Sequence, residues 1–323
     1  MPEPLLTSIV AGSTAAVFQT TVSYPFEFLK TGLQLHRSLP GMPPFQMMHQ
    51  IKTYFAGCAA LNVGTLLKTA TRFTTFESAC ELLRDKENTS QPISGPRLLA
   101  AGVITGFMES ILVIPFENIK TTMIENALRS QPAEIPSKTA KDTRPTFHAA
   151  KQPSLHPRQK WFLHYESHPS THFFSTIQEI YRTRGIRGFA QGSVCTIIRQ
   201  TSNSAVRFTT YTALKQLISP TKPLNEYYAF ALGVASSCAV VAVTQPIDVV
   251  KTRMQSKYAW RHYKNSLNCA YRTFVEEGIT KLWKGWAPRL VKVGLSGGVS
   301  FGVFQYVENL MNSMDKAASM GHN

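Results

Sequence analysis

The chain has 323 residues and a formal net charge of +15, so its length would suit about two soluble domains and its charge favours anionic partners. Its mean hydropathy of −0.10 is that of a soluble protein. Residues 4–26 and 227–247 nevertheless contain no charge, and each run could cross a bilayer core of about 30 Å as a helix. No zinc-finger, RNA-recognition or helix-turn-helix pattern accompanies the basic excess, which argues against nucleic-acid binding.

We predict six long helices and one short surface helix. The long helices run over about residues 5–34, 58–84, 97–127, 193–219, 224–256 and 288–311. Single charges such as Glu109, Lys68 and Arg207 interrupt their apolar runs. Charges inside a membrane normally face a bundle interior or a water-filled cavity. The short helix, at 265–277, alternates apolar and polar residues and is expected to lie on the membrane surface.

The cysteines and the N-terminus point to no metal site and no cleaved leader. The five cysteines form no CxxC pair, and four of them lie in or beside apolar segments, so we interpret them as buried hydrophobic residues. The N-terminus lacks the basic start and small-residue cleavage site of a signal peptide, and it does not resemble an Arg-rich presequence. Any targeting information is therefore expected to be internal.

Residues 129–172 differ in composition from the rest of the chain. They contain six prolines, and seven Lys or Arg against three Asp or Glu. They show no apolar periodicity, which predicts a disordered basic insertion between two of the helices. His164, His168 and His172 could suggest a metal site, but Pro169 separates them and no fixed scaffold is predicted, so we expect no metal there.

One short motif occurs three times, and each copy follows a long apolar run. It consists of a proline, an acid two residues later and a base three residues after the acid. The copies are Pro25–Glu27–Lys30, Pro115–Glu117–Lys120 and Pro246–Asp248–Lys251. Proline kinks a helix, and residues three apart lie on one face of it. Three such helices around one axis would bring three acids and three bases to one level, where ion pairs between neighbouring helices could close a pore.

The segments that follow Gly57, Gly192 and Gly285 align with one another as helices. Positions seven, eleven and fifteen residues after each glycine stack on one helix face. They hold Gly64, Arg199 and Lys292, then Lys68, Asn203 and Ser296, then Arg72, Arg207 and Ser300. Five strong bases would thus face the axis. The alternative, a set of structural ion pairs, requires acids, and none occurs at these nine positions, so the bases are predicted to bind an anion.

Outside 129–172 the chain resembles the mitochondrial carrier family. The resemblance rests on the threefold motif and on Glu277–Gly278 and Trp283–Lys284–Gly285 in the last repeat. It implies an all-α membrane protein, with six transmembrane helices in three homologous two-helix repeats related by pseudo-threefold symmetry. The repeats are assigned to residues 1–90, 91–220 and 221–323. The even-numbered helices are most similar to the citrate (tricarboxylate) carriers of fungi.

The resemblance also implies site residues. Substrate contacts are expected at Lys68, Arg72, Arg199, Gln200, Asn203, Arg207, Arg289 and Lys292, the last replacing an arginine of the citrate carriers. In a closed gate on the matrix side, Glu27 is expected to pair with Lys120, Glu117 with Lys251 and Asp248 with Lys30. Gln34 and Gln255 are expected to brace this gate. On the cytosolic side only Glu77 and Lys215 keep the family's pattern, which predicts a weak second gate.

Together the residues and the resemblance predict an antiporter of the mitochondrial inner membrane. It would move di- or tricarboxylates such as citrate by alternating access around a midplane site. A carrier for another anion (oxoglutarate, another keto acid or a nucleotide) and a non-transporting carrier-like protein remain alternatives. No motif pairs a nucleophile with a base, so no enzyme activity and no cofactor are expected. We expect a monomer that contacts membrane lipid, with cardiolipin among the candidates, and that binds no nucleic acid.

Overall fold

The computed structural model describes residues 3–37, 50–83, 95–130, 157–218 and 226–296, and the single positions 45, 47 and 303. Within these residues the secondary structure is helical. The long helices are α1 (Glu3–Leu35), α2 (Cys58–Leu83), α3 (Gly95–Arg129), α6 (Ser193–Ile218), α7 (Glu226–Gln255) and α10 (residues 286–296). The short ones are α4 (Pro157–Ser167), α5 (Phe173–Arg184), α8 (Ala259–His262) and α9 (Ser266–Glu277).

Five of the six predicted long helices are present over their full length, and their ends differ from the prediction by a few residues. The sixth is helical over 286–296. The described part of the sixth helix stops at residue 296, so most of the predicted stretch from there to 311 lies outside the described residues. Pro25, Pro115 and Pro246 each lie inside a helix that continues past them. The proline motif therefore occurs within α1, α3 and α7 and does not end them.

The three repeats contact one another at the glycines that precede α2, α6 and α10, the second helix of each repeat. Gly57, Gly192 and Gly285 have φ angles of 88°, 74° and 81°, a region that residues with a Cβ rarely adopt. A Cβ at each glycine would lie 3.1–3.5 Å from the carbonyl oxygen of a motif lysine in the next repeat. The pairs are Gly57 with Lys120, Gly192 with Lys251, and Gly285 with Lys30. The start of α2 thus contacts α3, the start of α6 contacts α7, and the start of α10 contacts α1, so that each repeat contacts the next.

The distribution of polar residues is the reverse of that in a soluble protein. The side chains of Phe18, Phe107 and Val243, on the outer faces of α1, α3 and α7, are at least half exposed. The charged side chains of Glu117 and Asp248 are buried inside the bundle. Such a distribution suits a bundle surrounded by lipid. By length and composition, two helices in the described part could cross a membrane, Ala100–Arg129 and Val234–Gln255.

The short amphipathic helix predicted at 265–277 is present as α9, and its place on the membrane surface stays a prediction. Its Cys269 and Thr273 side chains are buried on the inner face, while Leu267 and Tyr271 are exposed. The helix begins where the side chain of Asn265 accepts a hydrogen bond of 2.8 Å from the backbone N–H of Asn268, which satisfies one of the free amides at the N-terminus.

The prediction of disorder over 129–172 is wrong for the last part of that segment. Pro157–Ser167 forms α4, and its Phe162 and Tyr165 side chains are buried. The Phe162 ring packs edge-on against Tyr258 and Trp260, with centroids 5.4 and 6.0 Å apart. Composition averaged over the whole segment concealed this short apolar face, which orders by packing on the third repeat. Residues 131–156 lie outside the described residues.

Buried polar contacts attach α4 and α5 to the end of α7. The Lys257 ammonium lies 2.6 Å from the Glu179 carboxylate and donates to the Tyr165 carbonyl at 3.1 Å. Burial raises the pKa of Tyr258 to about 12, so its hydroxyl stays protonated and donates to Glu166 at 3.2 Å. The second and third repeats are thus joined on the side where the insertion lies.

We expect Phe162→Ala to lower the apparent Tm of the detergent-solubilised protein by several degrees, because truncating a buried phenylalanine costs about 3 kcal/mol. Leu163→Ala is the matched control, since Leu163 is the next residue and is 48% exposed. Equal effects of the two substitutions would contradict the docking of α4.

Candidate functional site

The long helices enclose a polar cavity of about 550 Å³. Every one of the six contributes to its wall, together with polar side chains such as Gln19, Thr20 and Gln200. Among the described residues, the wall contains eight bases and three acids. The bases are Lys30, Lys68, Arg72, Lys120, Arg199, Lys251, Arg289 and Lys292, and the acids are Glu27, Glu117 and Asp248. The wall therefore carries a large excess of positive charge.

A ring of three ion pairs closes one end of the cavity. The distances are 2.6 Å for Lys120–Glu27, 2.6 Å for Lys251–Glu117 and 2.5 Å for Lys30–Asp248. Each pair joins two different repeats, and each of the six side chains is at most 10% exposed. These are the pairs that the family resemblance implies. The three-residue spacing within each motif places acid and base on one helix face, so that each helix can reach both of its neighbours.

The two predicted brace glutamines lie in different surroundings. Gln34 donates to the Asp248 carboxylate at 3.1 Å and accepts from the Thr252 hydroxyl at 2.7 Å, so it contacts the ring directly. Gln255 accepts from the Thr121 hydroxyl at 3.3 Å. The corresponding position in the second repeat is Ile124, which is fully buried in an apolar cluster.

The ring acids also contact bases that line the cavity on the side away from its closed end. Lys292 lies 3.0 Å from the second oxygen of Glu27. Arg199 lies 3.4 Å from Glu117 and 3.6 Å from Asp248. Each of these acids is therefore shared between a motif lysine and a cavity base.

Arg289 is held more firmly than the other predicted substrate contacts. Its guanidinium donates to Gln245 at 2.9 Å, to Thr244 at 2.8 Å and to Asn203 at 3.4 Å. It also lies 3.9 Å from Asp248, and its side chain is 7% exposed. Its neighbours thus occupy most of its donors.

Two further predicted bases, Lys68 and Arg72, lie on α2 farther from the ring and contact Glu109 of α3. Arg72 donates to both carboxylate oxygens, at 2.7 and 3.2 Å, and the Lys68 ammonium lies 3.7 Å away. The expectation that the cavity bases have no acidic partners is therefore wrong. The expectation considered only positions on α2, α6 and α10, whereas the partner acids lie on α1, α3 and α7. A charge within the apolar run of α3 was the one signal that could have identified Glu109.

Two predicted site residues are only partly described. The backbone of α6 includes Arg207 and Lys215, but their side chains lie outside the described residues. Glu77 is exposed on α2. The second gate therefore stays a prediction.

Comparison with known proteins identifies the family of this fold. The family model described as "Mitochondrial carrier protein" matches residues 2–87, 91–222 and 222–315. Over 313 residues the chain is 43% identical to an uncharacterised mitochondrial carrier of Saccharomyces cerevisiae, covering 95% of this chain and 96% of the relative. It is 38% identical to mitochondrial citrate transporter A of Aspergillus niger, covering 96% and 93%.

A third relative, the tricarboxylate transport protein of Saccharomyces cerevisiae, is 32% identical over 317 residues, covering 94% of each chain. The family match extends over all three repeats, each of which supplies one motif to the ion-pair ring. The chain therefore belongs to the mitochondrial carrier family, whose members are transporters and not enzymes.

Proposed function

We propose that the protein is an antiporter of the mitochondrial inner membrane that exchanges di- and tricarboxylate anions, such as citrate, by alternating access. The observation that carries this proposal is the cavity wall, where eight bases face three acids among the described residues. Each of these bases lies within 4 Å of a ring acid or of Glu109, so eight bases share four acids. The positive charge that remains is costly to bury unless an anion enters. Two relatives that match over nearly the whole chain are named as citrate or tricarboxylate transporters.

The positions of the bases suit a substrate with more than one carboxylate. Lys68 and Arg72 lie one helical turn apart on α2, about 6 Å along its axis. Arg199 and Lys292 lie deeper, in contact with the ring acids. One carboxylate can bind the upper bases while another binds the lower ones. The guanidinium of Arg72 or Arg199 can hold a carboxylate through two parallel hydrogen bonds.

The shared acids supply a physical link between binding and opening. In the closed ring, Glu27, Glu117 and Asp248 are each stabilised by a motif lysine and by at least one cavity base. A substrate carboxylate that attracts Arg199 or Lys292 removes part of that stabilisation. Because a ligand shifts a conformational equilibrium only by its differential affinity for the two states, this competition would favour opening of the ring when substrate is bound.

In this mechanism the ring is the gate on the matrix side, and the cavity is the midplane site. The protein would work as a monomer, with lipid around its apolar outer surface and cardiolipin among the candidate lipids. Uptake of oxoglutarate in place of citrate would identify a carrier that prefers dicarboxylates. Uptake of a nucleotide, or of a keto acid with a single carboxylate, would identify a different substrate class.

We expect Arg199→Ala to abolish exchange while the protein still inserts and folds. Glu117 and Asp248 keep Lys251 and Lys30 as partners, at 2.6 and 2.5 Å, when Arg199 is removed, so no buried acid is left unpaired. The measurement is uptake of labelled citrate, oxoglutarate and ATP into preloaded liposomes. Lys264→Ala is the control, since Lys264 is an exposed base outside the cavity. Wild-type protein that exchanges only ATP, or no anion, would sink the carboxylate proposal.

Lys292→Arg should retain exchange and lower the KM for citrate relative to oxoglutarate by about threefold, the scale of one partly solvated ion pair. An arginine fork can contact Glu27 and a carboxylate at the same time, whereas an ammonium is a single point charge. The same liposomes give both constants. An unchanged ratio with full activity would show that residue 292 does not contact substrate.

Gln34→Ala should lower the apparent Tm of the substrate-free carrier more than Gln255→Ala does. Gln34 hydrogen-bonds a ring carboxylate, and removing a bond to a charged group costs about 1.5–3 kcal/mol. Among the described residues, the Gln255 amide nitrogen donates to no ring acid, and its oxygen accepts one longer bond from Thr121. A larger effect at Gln255 would mean that the ring is braced differently from the arrangement described above.

A further inference from the structure

Glu109 is a buried acid that lies behind the cavity wall and next to two of the cavity's bases. Its side chain is 3% exposed, and it is absent from the wall that Lys68 and Arg72 help to form. Arg72 donates to it through Nε at 2.7 Å and through Nη2 at 3.2 Å. This two-point contact fixes the plane of the guanidinium as well as its position.

The bases of this cluster remain accessible, whereas the acid does not. The Arg72 side chain is 58% exposed and that of Lys68 is 32% exposed. Glu109 therefore holds the two bases from the side of the α2–α3 contact, while both bases line the cavity. With two bases and one acid, the cluster has a net charge of +1.

Glu109 differs from the three ring acids in both partner and place. Each ring acid pairs with a motif lysine of another helix and helps to close one end of the cavity. Glu109 instead contacts two bases of α2 that are four residues apart. It precedes the ring acid Glu117 by eight residues, which is about 12 Å along α3. Its charge therefore acts on the upper part of the cavity and not on the closed ring.

We propose that Glu109 determines how many negative charges the carrier prefers on its substrate. It is a positioning residue, because it acts through Arg72 and Lys68 and need not touch the ligand. With Glu109 ionised, one carboxylate neutralises the upper cluster. Without that charge the cluster would carry +2 and would favour a ligand with an additional negative charge. This inference rests on the proposed carboxylate exchange and specifies the selectivity of the same cavity.

The test compares a dicarboxylate with a tricarboxylate. KM and kcat for oxoglutarate and citrate are measured in preloaded liposomes, at a pH at which both are fully ionised. Glu109→Gln keeps the size of the side chain and one acceptor oxygen for Arg72, but removes the charge. The ratio of the KM for oxoglutarate to the KM for citrate should rise on the order of tenfold, the scale of one nearby charge in a partly solvated site. The rise should come from KM rather than from kcat.

Three variants separate charge from structure. Glu109→Asp keeps the charge and should leave the ratio near the wild-type value. The double variant Glu109→Gln with Lys68→Gln returns the cluster to a net charge of +1, and its ratio should also return towards wild type. Glu81→Gln removes an exposed acid of α2 outside the cavity and should change neither constant.

The results distinguish this inference from the proposed function. Wild-type protein that takes up neither carboxylate overturns the proposed function itself. Wild-type exchange with an unchanged KM ratio in Glu109→Gln overturns only the role of Glu109. Loss of all uptake in both the Gln and the Asp variants would also overturn it, because the residue would then be needed for structure and not for its charge.

Discussion

The structure depends on a ring of buried ion pairs at the point where three proline-containing helices converge. A buried charge without a partner is strongly destabilising, so the three repeats can pack at this level only if each acid meets a lysine of its neighbour. Lys120–Glu27 is one of the three pairs, at 2.6 Å. The glycine at the start of each even helix allows the close backbone contact that brings the repeats together, and Gly57 against Lys120 is an example.

The cavity above the ring is organised by the same charges. Glu27 contacts Lys120 through one oxygen and Lys292 through the other, so the closed end and the site share an acid. A ligand that binds the cavity bases must compete with protein carboxylates for them. Such competition links occupancy to closure without a separate signalling element, since both depend on the same few donors. The same protein carboxylates stabilise the cavity bases when no substrate is bound.

Glu109 and α4 show how one chain can elaborate a repeated fold. Glu109 partly neutralises the upper bases through a contact that belongs to α2 and α3 alone. Helix α4 lies in an insertion within the second repeat. Phe162 of α4 and the Lys257–Glu179 pair of α5 attach this part of the chain to the third repeat. Neither feature follows from the threefold motif, and both depend on residues that occur in a single repeat.

The family resemblance implied which acid pairs with which base in the ring. The sequence by itself determined the threefold architecture, the positions of the long helices, the acids and bases of the ring and the bases of the cavity. These follow from local patterns: apolar runs long enough to span a bilayer, a motif of fixed spacing and bases one helical turn apart. Only the tertiary structure decided which acids those bases contact, that Glu109 lies behind Arg72, and that Phe162 anchors a segment of disordered composition. The physical reason is that contacts such as Lys292–Glu27 join residues 265 positions apart, and their partners are selected by helix packing, which no periodicity along the chain records.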